Sequence, residues 1–219
     1  MKDDPRIWVL EDAKVTRERI GVSLAREFPH ASVRYFTSRL ELEAAWQDQN
    51  GGRPDAMIAD LLVPERYPWM ASVLFRRPGG VCGILYGVMR PLVRILASYR
   101  IAQYSSMVEA SPETLYKDWG GLGFLLERTR KNDWRGVRFY IYSFVTDSEF
   151  LLRSVRLQRI CSLIVATVRE KLEGKLCPSI FTKGHPPITS WGAVLYGADP
   201  VGDELPRLMQ QMRQDLCVT

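Results

Sequence analysis

The sequence predicts an α/β domain built on a doubly wound, five-stranded parallel sheet, with an extra segment set into it. Three observations carry that prediction. Five short apolar runs suited to strands alternate with helix-like stretches. No hairpin turn joins one run to the next, as it would in an antiparallel sheet. Acidic, hydroxyl and lysine side chains stand where successive runs end.

Arg6 to Leu10 (Arg-Ile-Trp-Val-Leu) has the continuous apolar character of a strand buried on both faces. Ala13 to Phe28 is helix-like: Ile20, Leu24 and Phe28 recur every four residues, Arg17, Glu18, Arg19 and Arg26 lie off that stripe, and Pro29 closes it. Ser32 to Phe36 is expected to be the second strand and Leu40 to Gln47 the second helix, which Asn50-Gly51-Gly52 and Pro54 terminate. Ala56 to Ala59 is the third strand, running into Asp60. A short helix is expected over Leu122 to Thr129, a strand over Val137 to Tyr142, and a long helical region with a break over Ser148 to Leu172. A last short strand, Ser179 to Thr182, and a terminal helix, Leu205 to Leu216, complete the alternation. Asp60 and Ser143 lie far further apart than the ~30 residues a βαβ unit needs, so residues 66–118 are surplus to the sheet.

Composition sets limits on function. The 219 residues are 46% hydrophobic, enough to bury a core in one large domain or two small ones. The charged first residues lead straight into a strand, unlike a secretory signal. The greasiest region, Val81 to Ala102, is interrupted by Arg90, Pro91, Arg94 and Arg100, so no membrane span is expected. Cys82, Cys161, Cys177 and Cys217 lack Cys-x-x-Cys spacing and only His30 and His185 accompany them, which argues against a zinc site or a disulfide framework and for reduced thiols in a cytoplasmic protein. The net charge of +5 permits acidic partners. The basic residues are dispersed, however, and no helix-turn-helix or zinc finger is present, so nucleic acid is not an expected partner. Gly120-Gly121-Leu122-Gly123 follows no strand and is not a dinucleotide site.

In a doubly wound sheet, ligands gather outside the carboxyl ends of the strands. Glu11 and Asp12, Asp60, Ser143 and Lys183 occupy those ends here. Clustered carboxylates suit a hard divalent cation such as Mg²⁺, which takes one or two carboxylates and keeps room for phosphate oxygens. A hydroxyl and an ammonium nearby are donors for a phosphoryl group. In order, the motifs read Val-Leu-Glu11-Asp12, Ala-Asp60-Leu-Leu-Val-Pro64, Ile-Tyr-Ser143 and Phe-Thr-Lys183.

This series resembles the receiver domain of two-component response regulators over residues 6–64 and about 120–217. The resemblance implies a CheY-like, flavodoxin-like sheet of order 2-1-3-4-5. It implies Asp60 as phosphoacceptor, Glu11, Asp12, Asp60 and the Leu62 carbonyl as Mg²⁺ ligands, and Ser143 and Lys183 as phosphoryl contacts. The partner it implies upstream is a sensor histidine kinase or phosphotransfer protein, with Mg²⁺-dependent self-phosphorylation and no conventional turnover. Little chain follows the last helix, so output is expected through contacts of the domain's own surface. Oligomeric state is left open.

The sequence departs from the family pattern at Phe144, where a small residue is usual after the hydroxyl, at Gly184, where proline is usual, at Ile180, where an aromatic is common, and at Glu11 for aspartate. A degenerate receiver acting as an interaction module is therefore the rival reading. A phosphate-ester hydrolase, the third, lacks a second acid beside Asp60, because Leu62 stands where one would fall. Leu62 and Val145, neither able to orient water, are expected to slow loss of an attached phosphoryl group, with Phe144 covering the same approach. Residues 66–118 combine arginines (Arg76, Arg77, Arg90) with aromatics (Trp69, Phe75, Tyr86), the pairing common at interface anchors. They are expected to be an ordered subdomain, packed on the sheet or presenting a docking surface for a protein target.

Overall fold

The computed structural model describes residues 4–48, 52–63, 119–146, 155–172, 179–184 and 200–217. Pro64, residues 66–118, the start of the long helical region at 148–154, and His185 lie outside the described residues. The elements run β1 (Arg6–Leu10), α1 (Lys14–Glu27), β2 (Ser32–Phe36), α2 (Arg39–Gln47), β3 (Ala56–Ala59), α3 (Gly120–Lys131), β4 (Arg138–Ser143), a 3₁₀ turn (Phe144–Thr146), α4 (Val155–Leu172), β5 (Ser179–Thr182) and α5 (Leu205–Cys217). All five strands are parallel, in the order β2-β1-β3-β4-β5. This is the doubly wound topology expected from the alternation. No helix among the described residues is long and apolar enough to cross a membrane.

Strand alternation sorts the core into two layers, because successive side chains point to opposite faces. Trp8, Leu10, Met57, Ala59, Phe139 and Ile141 pack on one face with residues of α2, α3 and α4. Ile7, Val9, Ala56, Ile58, Tyr140 and Tyr142 pack on the other with residues of α1 and α5. Trp46 of α2 meets Trp8 and Phe124 edge-on, at 6.0 and 5.3 Å between ring centroids, an arrangement that suits the ring quadrupoles. The edge strand β2 leaves Ser32, Arg34 and Tyr35 exposed, whereas β3 is buried throughout.

Local chemistry fixes the ends of α2. Ser38 caps it, accepting from the Glu41 N–H at 3.3 Å, while the Glu41 carboxylate reaches back to the Thr37 N–H at 2.8 Å. The helix therefore begins one residue before the expected Leu40. β4 extends through Ser143, one residue further than expected, and α3 begins at Gly120, two residues earlier than expected. The reason for the early start of α3 is contact with β3's exit: the Gly120 N–H donates to the Val63 carbonyl at 2.7 Å and the Leu122 N–H to the Leu61 carbonyl at 3.4 Å.

Glu127 joins α3 to α2. It accepts from Arg39 and lies 2.5 Å from the Lys131 ammonium. The hydrogen bond from Lys131, opposed by burial and assisted by the charges of Lys131, Arg128 and Arg39, lowers its carboxyl to about 2 from 4.5. A depressed carboxyl contributes stability above its unfolded value and loses it as pH falls through the folded one. Glu127→Gln is thus expected to be less stable than wild type by ~1 kcal/mol at neutral pH, as for a partly exposed ion-pair network. The gap should close between the ordinary carboxylate value and about 2. Urea midpoints of both proteins across that range check this; a gap independent of pH contradicts it.

Candidate functional site

Because the strands are parallel and in register, their carboxyl ends form one rim. Backbone bonds continue the ladder beyond the strands: Glu11 N–H to Phe36 carbonyl (3.0 Å), Asp60 N–H to Leu10 carbonyl (2.9 Å) and Lys183 N–H to Ser143 carbonyl (3.1 Å). The backbone at three of the expected site residues is therefore set by the sheet itself.

Their side chains converge. Asp60 is 5% exposed and both of its oxygens are engaged. Oδ1 accepts from Ser143 Oγ at 2.7 Å and from the Leu62 N–H at 3.0 Å, and Oδ2 accepts from Lys183 Nζ at 2.6 Å. Lys183 also pairs with Glu11 Oε2. That oxygen is buried and has no aligned hydrogen bond among the described residues, while Glu11 Oε1 accepts from the Ala13 N–H at 3.1 Å.

Burial is the chief cause that raises the Glu11 carboxyl to about 7; Lys183 opposes the rise and Asp60 adds to it. Burial disfavours the Lys183 ammonium, but Asp60 and Glu11 outweigh it and raise the group above the usual lysine range. Lys183 is thus a fixed positive charge among buried carboxylates.

One oxygen each from Glu11, Asp12 and Asp60 can be chosen so that all lie within 4.8 Å of one another. Three carboxylates that close together are able to hold a divalent metal. All-oxygen ligation and a buried, imperfectly satisfied Glu11 oxygen fit a hard cation. The expected residues Glu11, Asp12, Asp60, Ser143 and Lys183 are all brought to this rim, and Leu62 stands beside Asp60 through its N–H.

The sequence departures acquire physical reasons. The Phe144 ring centroid lies 5.4 Å from Lys183 Nζ, so it walls the ammonium. Gly184 is required by close packing, since a Cβ there would sit 2.6 Å from the Val201 carbonyl oxygen. Ile180 is half-buried against the core. Val145 and Leu62, expected to be unable to orient water, are 1% and 7% exposed and both belong to the core cluster.

Sequence reasoning missed three contributors. Arg17 donates to the Glu11 and Asp12 carbonyls at 2.8 and 2.7 Å, bracing the acidic loop from the first turn of α1. Gly121 allows α3 to approach Asp60, whose carbonyl oxygen would be 1.8 Å from an added Cβ. Asp203 accepts from Tyr142 at 2.5 Å and pairs with Arg19. Only Gly121 left a trace, in a glycine run otherwise without purpose.

No protein-family model matches this chain, and no curated protein does. Solved structures that align with it include two response regulators. The Mn²⁺-bound form of response regulator Rcp1 is 13% identical, over 78% of this chain and 96% of that one, with a TM-score of 0.38. The phosphorylated cyanobacterial phytochrome response regulator RcpA is 14% identical, over 77% and 94%, with a TM-score of 0.38. Superposition this limited carries no weight beside strand order and register. What the strand order shows is a doubly wound parallel sheet of order 2-1-3-4-5, the topology that receiver and flavodoxin-like domains share, with an acidic cluster at its carboxyl rim.

Proposed function

We propose that this chain is a receiver that accepts a phosphoryl group on Asp60 and signals by protein–protein contact. One observation supports it above the others: Asp60 is a buried carboxylate held by a hydroxyl and an ammonium beside two further carboxylates. In the transfer, an Asp60 oxygen attacks the phosphorus of the donor. The P–O or P–N bond to the leaving group breaks, and that group departs with the electron pair. Ser143 and Lys183 exchange their bonds to Asp60 for bonds to the transferred oxygens, which supplies the donors an acyl phosphate needs. Glu11, Asp12, Asp60 and the Leu62 carbonyl would hold Mg²⁺, which when bound offsets the charge of phosphoryl and carboxylate oxygens.

The natural donor in this reading is a sensor histidine kinase or phosphotransfer protein, in the cytoplasm. Residues 66–118 are read as an insertion between β3 and α3 that contacts a protein target. The Gly120–Val63 hydrogen bond supports this, because the chain leaves and re-enters the core at adjacent points. The Phe144 ring beside Lys183 favours the rival reading, a non-phosphorylated interaction module, since it narrows the approach.

Acetyl phosphate with Mg²⁺, followed by intact mass, separates the two. One phosphoryl group is expected on wild type and none on Asp60→Asn. No adduct together with no Mg²⁺ binding by titration leaves only the module.

A further inference from the structure

β4 carries two tyrosines on the face that packs against α5, and both hydroxyls are tied to carboxylates next to or within that helix. Tyr140 donates to Asp215 at 2.8 Å and Tyr142 to Asp203 at 2.5 Å. Tyr142 has a second contact that Tyr140 lacks among the described residues: its ring centroid lies 5.6 Å from Lys183 Nζ, within the ~6 Å reach of a cation–π interaction.

Tyr142 is 1% exposed and Lys183 2%, so the ammonium is confined between two carboxylates and the Tyr142 and Phe144 rings. A lysine side chain has four rotatable bonds, and packing of this kind leaves its charged end one direction, towards Asp60.

The far end of Tyr142 is equally well fixed. Asp203 accepts its hydroxyl proton, accepts from the Leu205 N–H at 3.2 Å in the first turn of α5, and pairs with Arg19 of α1. Burial, followed by the Asp203 contact, raises the Tyr142 phenol above its usual range, so it remains a donor. Backbone packing links the same two places independently. Glu204 N–H donates to the Thr182 carbonyl at 3.0 Å, and a Cβ on Gly184 would meet Asp203 N at 2.7 Å. The residues flanking Lys183 thus touch the residues that lead into α5.

We propose that Tyr142 is a positioning residue for the Asp60 centre: its ring aims Lys183, and its hydroxyl, through Asp203, couples the placement of Lys183 to the first turn of α5 and to α1. The inference rests on the phosphoryl-acceptor reading. When Lys183 swings from Asp60 to a phosphoryl oxygen, the ring wall moves with it and the Asp203 contact transmits the change.

Four proteins test this: wild type, Tyr142→Leu, Tyr142→Phe and Asp203→Asn. Each is followed for adduct formation from acetyl phosphate and Mg²⁺ and for hydrogen exchange over residues 203–208. Tyr142→Leu is expected to slow adduct formation about tenfold, the loss of one ring contact of roughly 1.4 kcal/mol, and Tyr142→Phe to recover most of that rate. In wild type, adduct formation should change exchange over 203–208. In Tyr142→Phe and Asp203→Asn that response should fall at least about threefold.

A wild type that takes no phosphoryl group overturns the receiver reading and this inference with it. A phosphorylated wild type with a folded Tyr142→Leu of equal rate overturns the inference alone. Should Tyr142→Leu not fold, an unchanged exchange response in Tyr142→Phe and Asp203→Asn overturns it instead.

Discussion

Lys183→Met is expected to cost ~3–5 kcal/mol of stability in metal-free buffer, the loss typical when one partner of a buried ion pair is removed. Methionine keeps most of the apolar stem, so little cavity forms, and the deficit is the missing counter-charge. Asp60 and Glu11 are 5% and 1% exposed and share Lys183 as their cationic partner. Burial already holds the Glu11 carboxyl up at about 7 with the ammonium present, and without it two desolvated carboxylates face each other. Mg²⁺ should then restore part of the loss, because a cation bound only by the folded state adds ~2.7 kcal/mol at one hundred times its dissociation constant. Adding Asp60→Asn to Lys183→Met should also recover stability, a non-additivity expected of residues in one charged network. Urea denaturation with EDTA and with Mg²⁺ measures all three effects. Equal stability of Lys183→Met and wild type in EDTA would show that the lysine compensates nothing.

The fold was legible because its signals are local. Trp8, Val9, Ile58, Ile141 and Phe181 sit in short apolar runs, and Ile20 and Leu24 repeat at helical spacing, so strands and helices could be placed within a residue or two, apart from the start of the long helical region at 148–154, which lies outside the described residues. The acidic rim was legible for a related reason: each residue follows directly from the end of a strand, and parallel strands bring such ends together whatever the loops do. What escaped depends on through-space contact. Asp203 is distant in sequence from both Tyr142 and Arg19, and nothing in its neighbourhood announces either partner. Val145 was placed only by its offset from Ser143, and that offset does not show that its side chain joins Phe139 and Ile141 in the core. Arg17 reads as one more charged residue off the apolar stripe of α1. Its bonds are to backbone carbonyls, which no side-chain pattern encodes.

Gly121→Ala separates local preference from tertiary contact most sharply. Gly121 lies within the first turn of α3, and helix propensity alone predicts that alanine would stabilise the protein by ~1 kcal/mol. The structure predicts the reverse. An added Cβ would stand 1.8 Å from the Asp60 carbonyl oxygen, 2.8 Å from its carbon and 3.0 Å from Leu61 Cα. All three are backbone atoms at the exit of a central strand, so no side chain can rotate aside and either α3 or Asp60 must move. Overpacking that repacking can absorb costs ~1–3 kcal/mol, and here a loss of ~3 kcal/mol or more is expected. Displacement of Asp60 should also break its alignment with Ser143 and Lys183, so under the proposed phosphoryl-acceptor function adduct formation from acetyl phosphate should fall with stability. Gly136→Ala is the control: its φ is +83° with nothing within 4 Å of the added carbon, so only the left-handed backbone penalty of ~1–2 kcal/mol applies. Urea midpoints rank the three proteins. A Gly121→Ala protein at least as stable as wild type would mean that α3 does not press on Asp60 as described.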